Sequence, residues 1–287
     1  MTAPVTAPVS LRRTRMTDAW WRADPVLTGA LVVCALLFLM AVFGPLVAPY
    51  DPLATDILSS SQPPSWDHLL GTDSLGRDIF SRILVGARLS FLGPIIIVSI
   101  SITFGVTLAL LAAWKGGVVD SALSKVLNVM FAVPAILVAV IAVAVFGGGF
   151  WAPVLALALV YIPYVARVIR SSAIQERRRP YVEAFQLAGM SGFQINLRHI
   201  LRNLTPLILA QATLSFGSAL IDFGALSFVG LGVPPPTPEW GAMVNAGRAE
   251  LLAGSAQQTI AAGAIIVITV VAYNVLGERI TQRLGAF

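Results

Sequence analysis

The chain has 287 residues, of which 57% are hydrophobic and 11% charged, with a formal net charge of +5. An average soluble domain is about 25% charged, so the departure points toward lipid and excludes both an ordinary soluble domain and a charge-rich disordered chain. A basic total invites a nucleic-acid partner, and the placement of the arginines along the chain has to decide that point.

Runs of about 20 apolar residues are long enough to cross a hydrocarbon core as helices. Six are predicted, over 26–48, 91–113, 126–146, 151–168, 206–228 and 260–276. The first follows LRRTRMTDAWWRADP, a basic and tryptophan-bearing flank that marks a retained span after a cytoplasmic segment 1–25, with no cleavage signal. Cys34, the single cysteine, lies in that run and rules out an intrachain disulfide.

The first loop, 49–90, is acidic at Asp51, Asp56, Asp67, Asp73 and Asp78, then turns amphipathic in GRDIFSRILVGARLS. Ile79, Ile83 and Leu84 fall on one helical face, and Arg77, Arg82 and Arg88 are expected to reach toward headgroups, so an interfacial helix is predicted to lead into the second span. Within that span Ser99, Thr103 and Thr107 repeat every four residues, a pattern Ser and Thr commonly satisfy on their own helix backbone.

Between the fourth and fifth spans lies a long loop, 167–205. Pro180 suits a helix start and Glu183 lies in the first turn, where the positive helix end favours it. Val182, Phe185 and Leu187 are expected to form a compact apolar surface; Gly189 and Gly192 allow a sharp turn, and FQINLRHILRN then starts a second short helix with Ile195, Ile200 and Leu201 apolar. Such an element cannot bury its apolar side alone, and packing on the span ends, lying on lipid and docking on a partner all remain open.

In the fifth span Gln211, Ser215, Ser218 and Asp222 follow i, i+4, i+7, i+11 spacing and share a helical face. A polar stripe in lipid faces another helix or a cavity; interhelical packing and pathway lining are equally open readings. The last loop, 229–259, begins with a proline run that excludes helix and is expected to form an ordered rim.

With the N-terminus placed in the cytoplasm, 15 of the 19 basic residues fall inside and only Arg77, Arg82, Arg88 and Arg248 outside. Lys and Arg enrichment on the cytoplasmic side fixes orientation, predicts both termini in the cytoplasm, and explains the basic total without nucleic acid. The chain has no Gly-x-x-x-x-Gly-Lys-Ser/Thr run. His68 and His199 fall on opposite sides of the membrane and cannot share a zinc ion, and Ser227 lacks the Gly-x-Ser-x-Gly frame of an esterase. No enzymatic role, cofactor or metal is expected.

The stretch EAFQLAGMSGFQINLRHILRN resembles the EAA loop of ABC importer permeases, with Glu183, Ala184, Gly189, His199, Ile200, Leu201 and Asn203 on the pattern, Phe185 in place of its usual alanine and Arg202 in place of its usual proline. LLGTDSLGRDIFSRILVGARLSF, ALSFVGLGVPPPTPEWGAMVNAGR and DPVLTGALVVCALLFLMAVFGPLVAPYDP resemble the corresponding segments of C-type dipeptide, oligopeptide and nickel permeases, so the resemblance covers almost the whole chain. It implies an all-α, six-span type I ABC importer permease fold in a bacterial cytoplasmic membrane. It also implies a second homologous permease chain, two ATP-binding subunits or one fused ATPase that bind the ATP and Mg, and an extracytoplasmic solute-binding protein. Glu183, Ala184, Phe185, Gly189 and His199 are then the ATPase-coupling residues. The family often carries an acid just before the Leu-Ser-Phe of the last loop; here Asp222 is displaced by one position and Phe223 stands in its place, so no role is carried over. Dipeptides or short oligopeptides are the implied solute, with nickel chelates or haem as others. The reading from a different class is a self-sufficient ion-coupled carrier or channel, which Asp222 alone would have to support.

Overall fold

A computed structural model describes residues 24–283. The expected cytoplasmic segment, with Arg12, Arg13, Arg15 and Arg22, lies outside the described residues except at Asp24 and Pro25. Five helices are long and apolar enough to span a bilayer, and a bent pair supplies the sixth.

Helix α1, Pro25–Val47, is capped by Asp24, whose Oδ1 accepts from the Val26 and Leu27 amides. Its outward residues, among them Leu36, Phe38 and Phe43, stay exposed, which is the side-chain distribution a lipid solvent requires. Helix α2, Ile79–Lys115, is 37 residues long; at 1.5 Å per residue it measures about 55 Å, well over a hydrocarbon core of about 30 Å. The interfacial segment expected before the second span is therefore the first turns of one continuous helix.

The third span does not run straight. Helix α3, Gly117–Phe131, and helix α4, Ala135–Phe146, meet at 78° across a three-residue break. Pro134 has no amide hydrogen to continue the α3 ladder and biases the residue before it away from helix, while its carbonyl accepts from the Leu137 and Val138 amides to open α4.

Helix α5, Trp151–Arg177, lies along α2, and helix α8, Leu201–Phe228, packs on helix α11, Gln257–Arg283. Arg279 and Arg283 approach Asp24, so α11 ends beside the start of α1. Between α5 and α8 come helix α6, Pro180–Leu187, and the single turn α7, Gly192–Ile195, which runs through a π-helical turn, Asn196–Ile200, straight into α8. The last loop carries helices α9, Trp240–Ala246, and α10, Arg248–Leu252. Two apolar clusters result: a larger one around Phe91, Leu220, Phe223 and Trp240, and a smaller one toward the α6 end around Ile169, Val182, Ile195 and Ile200.

At the α9 end the structure departs from the expected headgroup arginines. Arg77 and Arg82 are buried. Arg77 Nε donates to Asp73 Oδ2 at 2.7 Å, Arg82 Nε lies 3.7 Å from the same oxygen, and Arg82 Nη1 donates to the Pro52 carbonyl at 2.8 Å. A buried guanidinium needs such partners, and the acidic first loop supplies them by folding back over α2. Ile79 and Ile83 accordingly face protein, not lipid.

The last loop seats on the same helix. Glu239 caps α9 and is almost fully buried; its carboxylate accepts from Ser90 Oγ at 3.0 Å and from the Gly241 and Ala242 amides at 3.0 and 2.9 Å. The Trp240 indole donates to the Ile83 carbonyl at 3.0 Å, and Glu250 Oε1 accepts from the Ser74 amide at 2.7 Å. Burial pushes the Glu239 carboxyl above the ordinary glutamate range, opposed by its hydrogen bonds from Gly241 and Ala242.

Candidate functional site

The loop 167–205 is built around a residue the sequence reading passed over. Glu176, near the end of α5, is buried, and its Oε1 accepts from Tyr181 Oη at 2.9 Å and Asn203 Nδ2 at 2.7 Å, while Oε2 pairs with Arg179 Nε at 2.8 Å. One carboxylate therefore ties the end of α5 to the start of α6 and the first turn of α8. Burial and the bond to Glu176 push the Tyr181 hydroxyl up to about 12, so it remains a protonated donor at neutral pH.

The apolar side of α6 is narrower than expected. Val182 is buried and Phe185 partly so, stacked on His199 at 4.1 Å between ring centroids, but Leu187 is 91% exposed. Helical geometry explains the split, because Leu187 lies five residues from Val182, more than a full turn on. Glu183, Ala184 and Gln186 share the open side with it. The structure thus brings Phe185 and His199 together as a stacked pair and leaves Glu183 and Ala184 free for contact.

The two glycines of the loop do different work. Gly189 has φ +81°, a conformation that side chains with a Cβ rarely adopt, and it reverses the chain after α6. Gly192, expected in the same turn, is instead the first residue of α7; a Cβ there would sit 2.3 Å from the Trp114 ring of α2, so its role is close packing. Ser191 and Gln194 form a capping box that starts α7. The second short helix predicted after the turn is thus the beginning of α8, joined through the π turn, a form common at functional sites. Arg177 Nη1 donates to the Ala113 carbonyl at 2.6 Å, and its guanidinium lies over the Trp114 ring at 5.3 Å, clamping α5 to the end of α2.

The polar stripe of α8 divides. Gln211 and Ser215 are buried, and the Gln211 amide donates to Ser215 Oγ one turn along the same helix at 3.1 Å. Ser218 and Asp222 instead line a recess of about 390 Å³ at the α3–α4 break, where Asp222 Oδ2 accepts from Tyr161 Oη at 2.8 Å. Sequence spacing could group the four residues but could not separate them, because the separation depends on α5 and on the bend at Pro134. On the helix beside this recess, Arg170 forms a two-pronged pair with Asp120 at 2.5 Å, which fastens α3 to α5.

A family model described as the binding-protein-dependent transport system inner membrane component matches residues 101–285, and the N-terminal TM domain of oligopeptide transport permease C matches residues 14–64. The probable D,D-dipeptide transport system permease protein DdpC of Escherichia coli K12 is 35% identical over 263 residues, covering 92% of this chain and 88% of that protein. The di/tripeptide transport system permease protein DppC of Pseudomonas aeruginosa is 39% identical over 264 residues, covering 89% and 86%. The glutathione transport system permease protein GsiD of Escherichia coli O6:K15:H31 is likewise 39% identical over 264 residues, covering 92% and 86%. A helical bundle of five spans and one bent pair, a braced loop with an exposed helix, and these matches along nearly the full length place the chain in one family: it belongs to the binding-protein-dependent transport system inner membrane components, as the multi-pass permease subunit of an ABC importer that works with ATPase and solute-binding partners.

Proposed function

We infer that this chain moves dipeptides or short oligopeptides from an extracytoplasmic binding protein into the cell, pairing with a second, homologous permease chain above two ATP-binding subunits or one fused ATPase. Both termini and the α6 end lie in the cytoplasm; the α9 end faces outward. The peptide assignment is supported by the relatives, whose names specify D,D-dipeptides, di- and tripeptides, and glutathione.

The observation that carries the coupling role is that α6 is held rigidly on its inner side, through Val182 and the Glu176 bonds, and presents Glu183, Ala184, Gln186 and an exposed Leu187 on its outer side. On this reading Leu187 is the apolar centre of the contact, with Glu183 and Gln186 as its polar rim. ATP binding closes the ATPases, the groove that holds α6 moves, and the bonds at Glu176 and Arg177 pass that movement to α5, α8 and α2. The result is a rigid-body rearrangement driven by free energy entering at a distant site.

Glu183→Lys and Gly189→Val test this. Both are expected to leave the chain in the membrane while lowering uptake of trialanine about tenfold, at the lower end of typical coupling free energies, with ATP turnover persisting. Uptake at the wild-type rate in both variants would remove α6 from the coupling path.

A further inference from the structure

The recess at the α3–α4 break holds an ionisable group outside the coupling loop, only one of whose oxygens is taken up by a neighbouring helix. Asp222 sits in a membrane-spanning helix, half-buried, with Oδ2 accepting from Tyr161 Oη at 2.8 Å. Among the described residues, Oδ1 has no donor and no basic side chain forms an ion pair with the carboxylate. The nearby cation Arg167 is engaged elsewhere, donating to Asn128 Oδ1 at 2.8 Å with its guanidinium 4.3 Å from the Phe131 ring centroid. An ionisable side chain at membrane depth is costly and ordinarily faces a cavity that gives it a use.

The walls of the recess suit a cation. Tyr161 and Tyr164 bring aromatic rings, Ser218 brings a hydroxyl, and the volume of about 390 Å³ exceeds that of an amino-acid residue; the Phe131 ring, also in the lining, is already covered by Arg167. Aromatic faces attract ammonium groups through their quadrupole, and most strongly where water is scarce. A carboxylate with one oxygen fixed by a tyrosine and the other open supplies the charge.

We propose that this recess receives the N-terminal ammonium group of the peptide during passage, with Asp222 Oδ1 as its acceptor and Tyr161 as the residue that holds the carboxylate in place. This rests on the peptide-import reading. The recess is a subsite on the path, distinct from the rim at α9 and from the coupling loop.

The test uses the complete importer in proteoliposomes with loaded binding protein, following trialanine uptake, co-purification of the subunits and ATP turnover. Asp222→Asn keeps the volume and the Tyr161 hydrogen bond while removing the charge. It is expected to lower trialanine uptake about tenfold, the scale of one charge-assisted hydrogen bond, with assembly and ATP turnover unchanged, and Asp222→Glu is expected to recover most of the loss. Tyr161→Phe, which keeps the charge and loosens its position, should fall between the two. Wild-type uptake by Asp222→Asn would overturn the proposal, as would failure of that variant to assemble, which would make the carboxylate structural. A wild-type importer that assembles but moves no free-amino peptide would instead bring down the peptide reading itself, while uptake driven by an ion gradient without ATP would make Asp222 an ion site.

Discussion

Glu176→Ala is expected to lower peptide uptake by about 10- to 100-fold, the span of typical coupling free energies, in a chain that still inserts and assembles. The side chain is buried, and its loss removes the acceptor that the Tyr181 hydroxyl and the Asn203 amide now bond at 2.9 and 2.7 Å. Tyr181 is part-buried, and leaving its hydroxyl unpaired costs about 1–3 kcal/mol where water cannot reach it, whereas the exposed Asn203 turns to water. The Arg179 pair adds little, because that arginine side chain is 64% exposed and surface pairs contribute about 0–1 kcal/mol. Glu176 lies at the very end of α5, so the damage is confined to where α6 meets the ends of α5 and α8. Uptake and ATP turnover measured together should show turnover continuing without transport. Glu176→Gln keeps an acceptor at the same position and should retain most of the uptake. If Glu176→Ala transports normally, burial of Val182 alone is enough to hold α6.

Glu239→Ala should release the outer rim. The carboxylate caps α9 and accepts the Ser90 hydroxyl, which in turn accepts from the Trp240 amide at 3.0 Å. Losing the cap costs about 0.5–2 kcal/mol, and leaving buried donors unpaired adds about 1–3 kcal/mol each. Limited proteolysis of the loop 229–259 in the purified importer is therefore expected to accelerate about 100-fold, the factor that roughly 3 kcal/mol gives. Ser90→Ala removes one link of the same chain and should have a smaller effect. Cleavage at the wild-type rate in Glu239→Ala would mean that the buried Trp240 ring, with its bond to the Ile83 carbonyl, seats the rim unaided.

The spans were legible in the sequence because a bilayer imposes a length and a composition on any helix that crosses it. The predicted 26–48 and 151–168 begin within a residue of α1 and α5. The start of α6 at Pro180 was readable for a similarly local reason, since proline is pre-organised for the first turn of a helix, where its missing amide hydrogen costs nothing. The resemblance in the loop and the rim pointed to the family from side chains close together in sequence.

What the sequence left open depended on distance along the chain. Arg82 looks like a headgroup ligand until the first loop folds back and the Pro52 carbonyl, 30 residues away, meets it, whereas the Arg77 pair with Asp73 spans only four residues. Pro134 could have signalled a break within 126–146, but the 78° bend that opens the recess is set by how α3 and α4 pack on α5. Glu176 and Asn203 are 27 residues apart and Tyr161 and Asp222 are 61 apart, so no periodicity relates them. Sequence by itself determined which segments enter lipid and which family the pattern resembles, because those follow from local composition. Only tertiary structure decided which buried charges brace the loop and the rim and which carboxylate faces an open recess, because a charge in a low-dielectric interior takes its meaning from the partners that packing brings to it.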